Sequence, residues 1–335
     1  MKIKQKFYAA MLATLVATTA TSVIPTTQAS PLQVETQETS DERMATFIET
    51  AEAVYAEEVL NARSIADPSI DPSMPQVFTF TEVGLDGQCY YYEKGFDENG
   101  DDVVTISTFE VEITEDYGIS TMANDEIDGG IGGRQYIVAN GASTLTATVS
   151  LPSSGTVSAT NGIPYIYSGF NGTFETDMGL QYSSAYNLWK PYFSLGNSAT
   201  SDTVDFASGY NEVQHVNGYL PGTDVSFVIE SNNNGYIRLK QMGYAKYADR
   251  LGNGTNTYLT SILQIKQSPG TIQNFKVLAT IASSSSSDSS IKGNVSATFK
   301  NIQLDGSTNN TYLTPSTDYA TVSRSGNNVS ISVSK

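Results

Sequence analysis

The sequence predicts a mainly β protein, an antiparallel two-sheet sandwich of jelly-roll type preceded by a small acidic α+β region. Three observations predict it. From Gly133 to Lys335 the chain is a succession of short strand-like runs bounded by Gly, Asn, Pro or Ser, with no competing helical period. A single amphipathic helical pattern occurs, at residues 40–63. Charge changes abruptly near Gly129: residues 30–128 hold 24 Asp and Glu against three Lys and Arg, whereas residues 129–335 hold 11 against 12. Such a break, followed by the glycine run Asp-Gly-Gly-Ile-Gly-Gly at 128–133, predicts a domain boundary with flexible punctuation.

Residues 1–29 have the grammar of an export signal. Lys2, Lys4 and Lys6 form a basic start, Phe7 to Ala20 an uncharged apolar run, and Thr27-Gln28-Ala29 a small-x-small cleavage site. The apolar run falls short of the roughly 20 residues that span a bilayer, so the expectation is a secreted, extracellular chain with no membrane span. Cys89 is the only cysteine and cannot form an internal disulfide, so a packed core must hold the fold. A buried place in a strand is expected for it. The scarcity of clustered Lys and Arg in the acidic part argues against a nucleic-acid partner.

In the acidic region, residues 30–128, Thr39 followed by Glu42 gives a capping box. Met44, Phe47, Ile48, Ala51, Val54, Tyr55, Val59 and Leu60 then recur at helical spacing. Asp-Pro-Ser-Ile-Asp-Pro-Ser-Met-Pro, 67–75, ends the helix as a stiff linker. VFTFTEV, QCYYYEKGF, VVTISTF and EVEIT follow, separated by DG and NG turns, and predict a small antiparallel β module over 76–116. Within it Asp97, Asn99 and Asp101 copy the opening of a calcium loop. Asp102 stands where glycine is wanted and Thr108 where a bidentate glutamate is wanted, so a solvated turn competes with a Ca²⁺ site there.

Residues 129–335 form the predicted sandwich. The strand-like runs include YIVANGA, STLTATVSL, FETDMGLQY, DVSFVIES, YIRLKQMG, TYLTSILQIKQ, FKVLATIA, VSATFKNIQL and NVSISVSK. The tract SSSSSDSS, 283–290, is predicted to be a polar loop. The order GFNGTFETDMGLQYSSAYNLWKPYFSLG, VNGYLPGTDVSFVIESNNNGYIRLKQMG and SIKGNVSATFKNIQLDG resembles the YrpD-like family of secreted bacterial proteins. It is also similar to the strand grammar of concanavalin A-like lectin and glucanase sandwiches. The resemblance spans about 129–306 and implies a concanavalin A-like jelly roll and an exported location; it implies no reaction.

The chemistry-bearing residues begin with Glu175 and Asp177. Alternation puts Phe174, Thr176, Met178, Leu180 and Tyr182 on one face and Glu175, Asp177, Gly179 and Gln181 on the other. Two carboxylates about 7 Å apart along a strand can split their pKa values into the acid and nucleophile of a glycoside hydrolase; polar residues on a wet sheet face, or a metal or ligand contact, are the alternatives. Sandwich glucanases with an E-x-D-x-E strand use a third acid, and Gly179 stands in its place. His215, the only imidazole, is a candidate base for a polysaccharide lyase, but Gln214 beside it breaks the Q-x-H spacing of alginate-lyase-like sandwiches, and a place closing a turn is the expectation for it.

Rings and cations carry the binding expectation. Tyr186 and Trp189, in the loop-like SSAYNLWKP, and Tyr192 after them are candidates to stack on sugar faces. Tyr236, Arg238 and Lys240 alternate onto one strand face that suits an anionic polymer, or equally a docking surface for the acidic part of the same chain. The combined expectation is a secreted protein that binds carbohydrate or an anionic cell-wall polymer without catalysis. A polysaccharide hydrolase or lyase on the same sandwich, and a structural or protein-interaction module, are the alternatives.

Overall fold

The computed structural model of the chain describes residues 40–60, 74–84, 88–96, 100–110, 113–115, 130–172, 175–196, 202–207, 216–248, 254–282 and 290–335. The expected export signal, residues 67–73 of the linker, Asp97, Asn99, Phe174, His215 and nearly all of the serine tract lie outside these residues. Residues 40–335 form one compact unit.

The described chain is mainly β. Helix α1 runs from Ser40 to Tyr55 and ends in a π-helical turn, Ala56–Leu60. Strands β1 (Gln76–Val83), β2 (Gln88–Phe96), β3 (Asp102–Glu110) and β4 (Ile113–Glu115) follow. After the glycine run come β5 (Gly130–Val138), β6 (Thr144–Ser150), β7 (Ser158–Thr160), β8 (Ile163–Asn171), β9 (Thr176–Ser183) and β10 (Leu188–Gly196). Next are β11 (Asp202–Ala207), β12 (Val216–Tyr219), β13 (Asp224–Asn233), β14 (Tyr236–Ala248) and β15 (Gly254–Lys266). The last are β16 (Asn274–Ala282), β17 (Lys292–Leu304), β18 (Ser316–Asp318), β19 (Ala320–Ser325) and β20 (Asn328–Ser334).

Alternation is clearest in the strands with one wet face, such as β6 and β13. In Thr144–Ser150 every second residue, Leu145, Ala147 and Val149, is buried. Turn chemistry sets the register: Asn234 and Gly235, both at positive φ (52° and 88°), link β13 to β14, as a two-residue hairpin with the right twist requires.

Pairing is antiparallel except at one seam. From the edge strand inward, β3, β2 and β1 form a meander, and β1 then lies parallel to β15, from Gln76 opposite Tyr258 to Val83 opposite Ile265. Strand β15 pairs with β14, and at β14 the sheet divides. Its first part continues through β13, β6, β17, β20 and β19, and its last residues through β12, β10, β9, β8, β16, β5 and β18. The two arms curl toward each other around a common apolar core that includes Trp189, Phe193, Phe227, Phe275, Phe299 and Ile331. The result is a nearly barrel-shaped sheet.

Two expectations change here. Residues 130–133 are not flexible punctuation: they are the first half of β5, and a Cβ on Gly133 would sit 2.7 Å from Val322 Cγ2 and 2.8 Å from Ile331 Cγ2. Glycine is needed there because the facing arm comes too close for a side chain. The boundary near Gly129 is one of composition and charge, across which the hydrogen-bonded sheet runs, since β1 is a neighbour of β15. Helix α1 closes the outer face of this seam, burying Phe47, Ala51 and Val54 against Phe78, Phe80, Tyr90, Tyr92 and Ile262. Strand β1 is therefore covered on both faces, which accounts for its nearly continuous burial. Cys89 is buried in β2, as expected of a small apolar side chain. Among the described residues no helix is long and apolar enough to cross a membrane.

Candidate functional site

The face of β5, β16, β8, β9 and β10 that points away from the core gathers the polar residues left over by alternation. On β16, Phe275, Val277, Ala279 and Ile281 enter the core, so Lys276, Leu278 and Thr280 point the other way. Lys276 is nonetheless 1% exposed. Its Nζ lies 2.7 Å from Asp177 Oδ1 and is also paired with Glu175 Oε1. Arg134 on β5 places Nη1 3.8 Å from the same Glu175 oxygen and lies over the Tyr136 ring. Gly169 is the register partner of Lys276 on the intervening strand β8, so no side chain stands between the lysine and β9.

Burial pushes the Asp177 carboxyl above its ordinary value, against the pull of Lys276. The Lys276 charge holds Glu175 below the usual carboxylate range, against its burial. Burial disfavours the ammonium of Lys276, but the two carboxylates together outweigh it and hold its pKa above that of an ordinary lysine. Glu175 and Asp177 project together from one strand face as the sequence predicts, and what they meet is a buried cation.

Beside this knot three tyrosines converge. Tyr165 and Tyr167 on β8 and Tyr192 on β10 have ring centroids 5.0 to 5.8 Å apart. Gly179 of β9 pairs with both Tyr167 and Tyr192, so the rings meet over a residue with no side chain. Gln181 donates to the Tyr165 hydroxyl at 2.9 Å, Thr280 to the Tyr167 hydroxyl at 3.2 Å, and Lys190 lies opposite Gln181 on β10. Burial lowers the pKa of Lys190. Tyr165 and Tyr192 are half-buried. The face thus offers ring surface, hydroxyls, an amide and an amine within a few residues of two carboxylates.

Other expected ligand residues sit elsewhere. Trp189 is not in a displayed loop; it is fully buried in β10, against Tyr182 at 5.1 Å, because alternation from Tyr192 and Lys190 turns it inward. Tyr186 is half-buried in the turn before that strand. Tyr236, Arg238 and Lys240 do share one face of β14, and acidic residues of the preceding region already cover it. Lys240 pairs with Glu58 of the π-helical turn, and Arg238 binds Gln264 Oε1 at 3.1 and 2.9 Å and approaches Glu230 at 3.9 Å. Gln264 in turn donates to Glu82 of β1 at 3.0 Å. The contacts expected of a docked acidic segment are present on this face. Asp101 is exposed, and among the described residues no cluster of His, Cys, Asp and Glu could hold a metal.

Two features escape sequence reasoning. One is Lys276, whose signal was a lone lysine inside the apolar run NFKVLATIA. The other is Glu93, 2% exposed, which accepts hydrogen bonds from the Tyr91 hydroxyl, from Asn217 Nδ2 at 2.8 Å and from the Tyr247 hydroxyl at 2.8 Å. It joins β2, β12 and β14, whose sequence separations hide the meeting.

Against known proteins, residues 124–333 match the model of a domain of unknown function, YrpD. A relative from Bacillus subtilis (strain 168), Uncharacterized protein YrpD, is 41% identical over 216 residues, covering 64% of this chain and 85% of its own. Among solved structures, scytalido-glutamic peptidase with a peptide-based transition-state analogue aligns at a TM-score of 0.34 and 13% identity, over 62% of this chain and 98% of that one. SCP-B, a member of the Eqolisin family of peptidases bound to the tripeptide Ala-Ile-His, aligns at 0.35 and 13% over the same shares. Likenesses of that size carry no functional argument. The length and identity of the sequence match do carry one about kinship, and the chain belongs to the YrpD family.

Proposed function

We propose that the chain is an exported protein that binds carbohydrate or an anionic cell-wall polymer without cleaving it, on a concanavalin A-like sandwich. The observation that supports this most is the convergence of Tyr165, Tyr167 and Tyr192 over Gly179. Aromatic faces pack on the apolar faces of sugar rings while their hydroxyls, with Gln181 and Lys190 nearby, meet sugar hydroxyls or carboxylates. The pairing of Glu175 and Asp177 with Lys276 favours binding over hydrolysis. A nucleophile or general acid has to reach the sugar, and both carboxylates are instead turned onto one buried cation of this chain. A polysaccharide hydrolase remains the second reading, favoured by the opposite pKa displacements of Asp177 and Glu175.

Incubation of the purified protein with insoluble wall and plant polysaccharides separates the two. The binding reading expects the protein to sediment with at least one polymer while soluble sugar ends stay at the level of the blank. Release of soluble ends that disappears in Asp177→Asn supports the hydrolase instead. Failure to sediment with any polymer counts against both.

A further inference from the structure

A lysine this deeply buried, with a carboxylate oxygen at 2.7 Å and a second carboxylate in contact, is arranged for chemistry between side chains. We propose that Lys276 and Asp177 condense to an intramolecular isopeptide bond, with Glu175 as the proton relay, tying β9 to β16 across β8. This rests on the charged knot and not on the tyrosines, so it stands or falls separately from polymer binding.

The geometry supplies proximity. Reacting atoms held at about 3 to 3.5 Å are within attack range, and an oxygen 2.7 Å from Nζ brings its bonded carbon, Cγ, close to that range. Gly169 leaves the path across β8 open. The surroundings supply the protonation states. Burial already raises the Asp177 carboxyl toward its neutral, electrophilic form, while Glu175 is held ionised and available as a base. Arg134, 3.8 Å from Glu175 and over Tyr136, keeps positive charge at the site when Lys276 loses its own. The groups facing the knot are thus Lys276 of β16, Glu175 and Asp177 at β9, and Arg134 and Tyr136 of β5.

The step balances without an external reagent. The Lys276 ammonium passes one proton through Glu175 to Asp177, leaving a neutral amine and a neutral acid. The amine lone pair attacks Cγ and the N–Cγ bond forms. A second amine proton travels through Glu175 to the Asp177 hydroxyl, the Cγ–O bond breaks, and water leaves. An ammonium and a carboxylate become one neutral amide and one water, nothing is oxidised or reduced, and Glu175 ends as it began. The carboxylates favour the ammonium, so the neutral pair is a minor tautomer, but the condensation need happen only once per molecule.

The test is peptide mapping of the full exported chain after denaturation. The expected result is a branched peptide joining the segments that contain Lys276 and Asp177, one water lighter than their sum. It should be absent in Lys276→Arg and Asp177→Ala, and reduced by about tenfold or more in Glu175→Gln, as loss of a proton relay implies. Two separate linear peptides of unmodified mass, in wild-type protein, overturn the proposal. Because that readout uses the wild-type chain, it decides even where a variant fails to fold.

Discussion

Asn217 on β12 donates its side-chain amide to the Glu93 carboxylate on β2 at 2.8 Å, so the acidic segment delivers a buried anion to a site that later strands complete. Tyr91 and Tyr247 supply further donors to the same carboxylate. Removing Glu93 takes the acceptor from two buried donors, Tyr91 and Asn217, at about 1 to 3 kcal/mol each when unsatisfied, and from the partly buried Tyr247 hydroxyl. Glu93→Ala is therefore expected to lower unfolding free energy by several kcal/mol, and Glu93→Gln, which keeps one acceptor oxygen, by less. Urea denaturation of both variants checks the order; equal stability of Glu93→Ala and wild type is incompatible with this role.

The same network predicts an alkaline limit. Burial first, and then the Glu93 charge, raise the Tyr91 hydroxyl well above its usual value, and the same two causes raise Tyr247. A group whose folded pKa is raised contributes stability that is complete below its unfolded value, about 10 for tyrosine, and is lost as pH rises beyond it. Stability should therefore decline from about pH 10 upward, with the absorbance of the last tyrosinates appearing only with unfolding. Tyr91→Phe should flatten the decline, and an unchanged slope counts against the assignment.

The sheet seam makes a third prediction. A chain shortened to 129–335 loses β1, which pairs with β15 from Gln76 to Val83, and α1, which covers the outer face. That leaves an unpaired strand edge and exposes Ile262, a combination that promotes association. The fragment is expected to aggregate or to melt without a cooperative transition. A soluble fragment with a sharp melt would mean the seam is dispensable.

Strand alternation was legible where one face is buried and the other wet. FETDMGLQY showed its inward Thr176, Met178 and Leu180 and its outward Glu175 and Asp177 directly. Trp189 was misplaced because Pro191 and the polar run before it carry a loop composition, although Leu188 begins a strand. The glycines at 130–133 looked like a linker because composition reports chain freedom and not the proximity of Val322 and Ile331. Lys276 meets Asp177 across a strand that contributes only Gly169 at that point, and nothing local in either segment encodes the meeting. Long-range pairing, as between β1 and β15, leaves the weakest trace, since each strand alone is compatible with many neighbours.

Trp189 supplies a fourth prediction. As a fully buried ring in β10 it should cost about 3 to 5 kcal/mol when cut to alanine. Tyr186→Ala, in a turn, should leave thermal unfolding nearly unchanged. Differential scanning calorimetry of the two variants distinguishes core from turn; equal melting temperatures contradict the placement of Trp189.

The most direct test of the binding account is titration calorimetry of wild type, Tyr165→Ala and Tyr192→Ala with soluble neutral and uronate oligosaccharides, beside thermal unfolding of the same proteins. Loss of one stacking ring, worth about 0.5 to 1.5 kcal/mol, should weaken binding from a few-fold to about tenfold, and because each ring also packs on the other two tyrosines the melting temperature should fall as well, by less than in Trp189→Ala. If an oligosaccharide binds wild type and both variants equally, or if none binds wild type at all, the tyrosine face of β8, β9 and β10 is not a carbohydrate site.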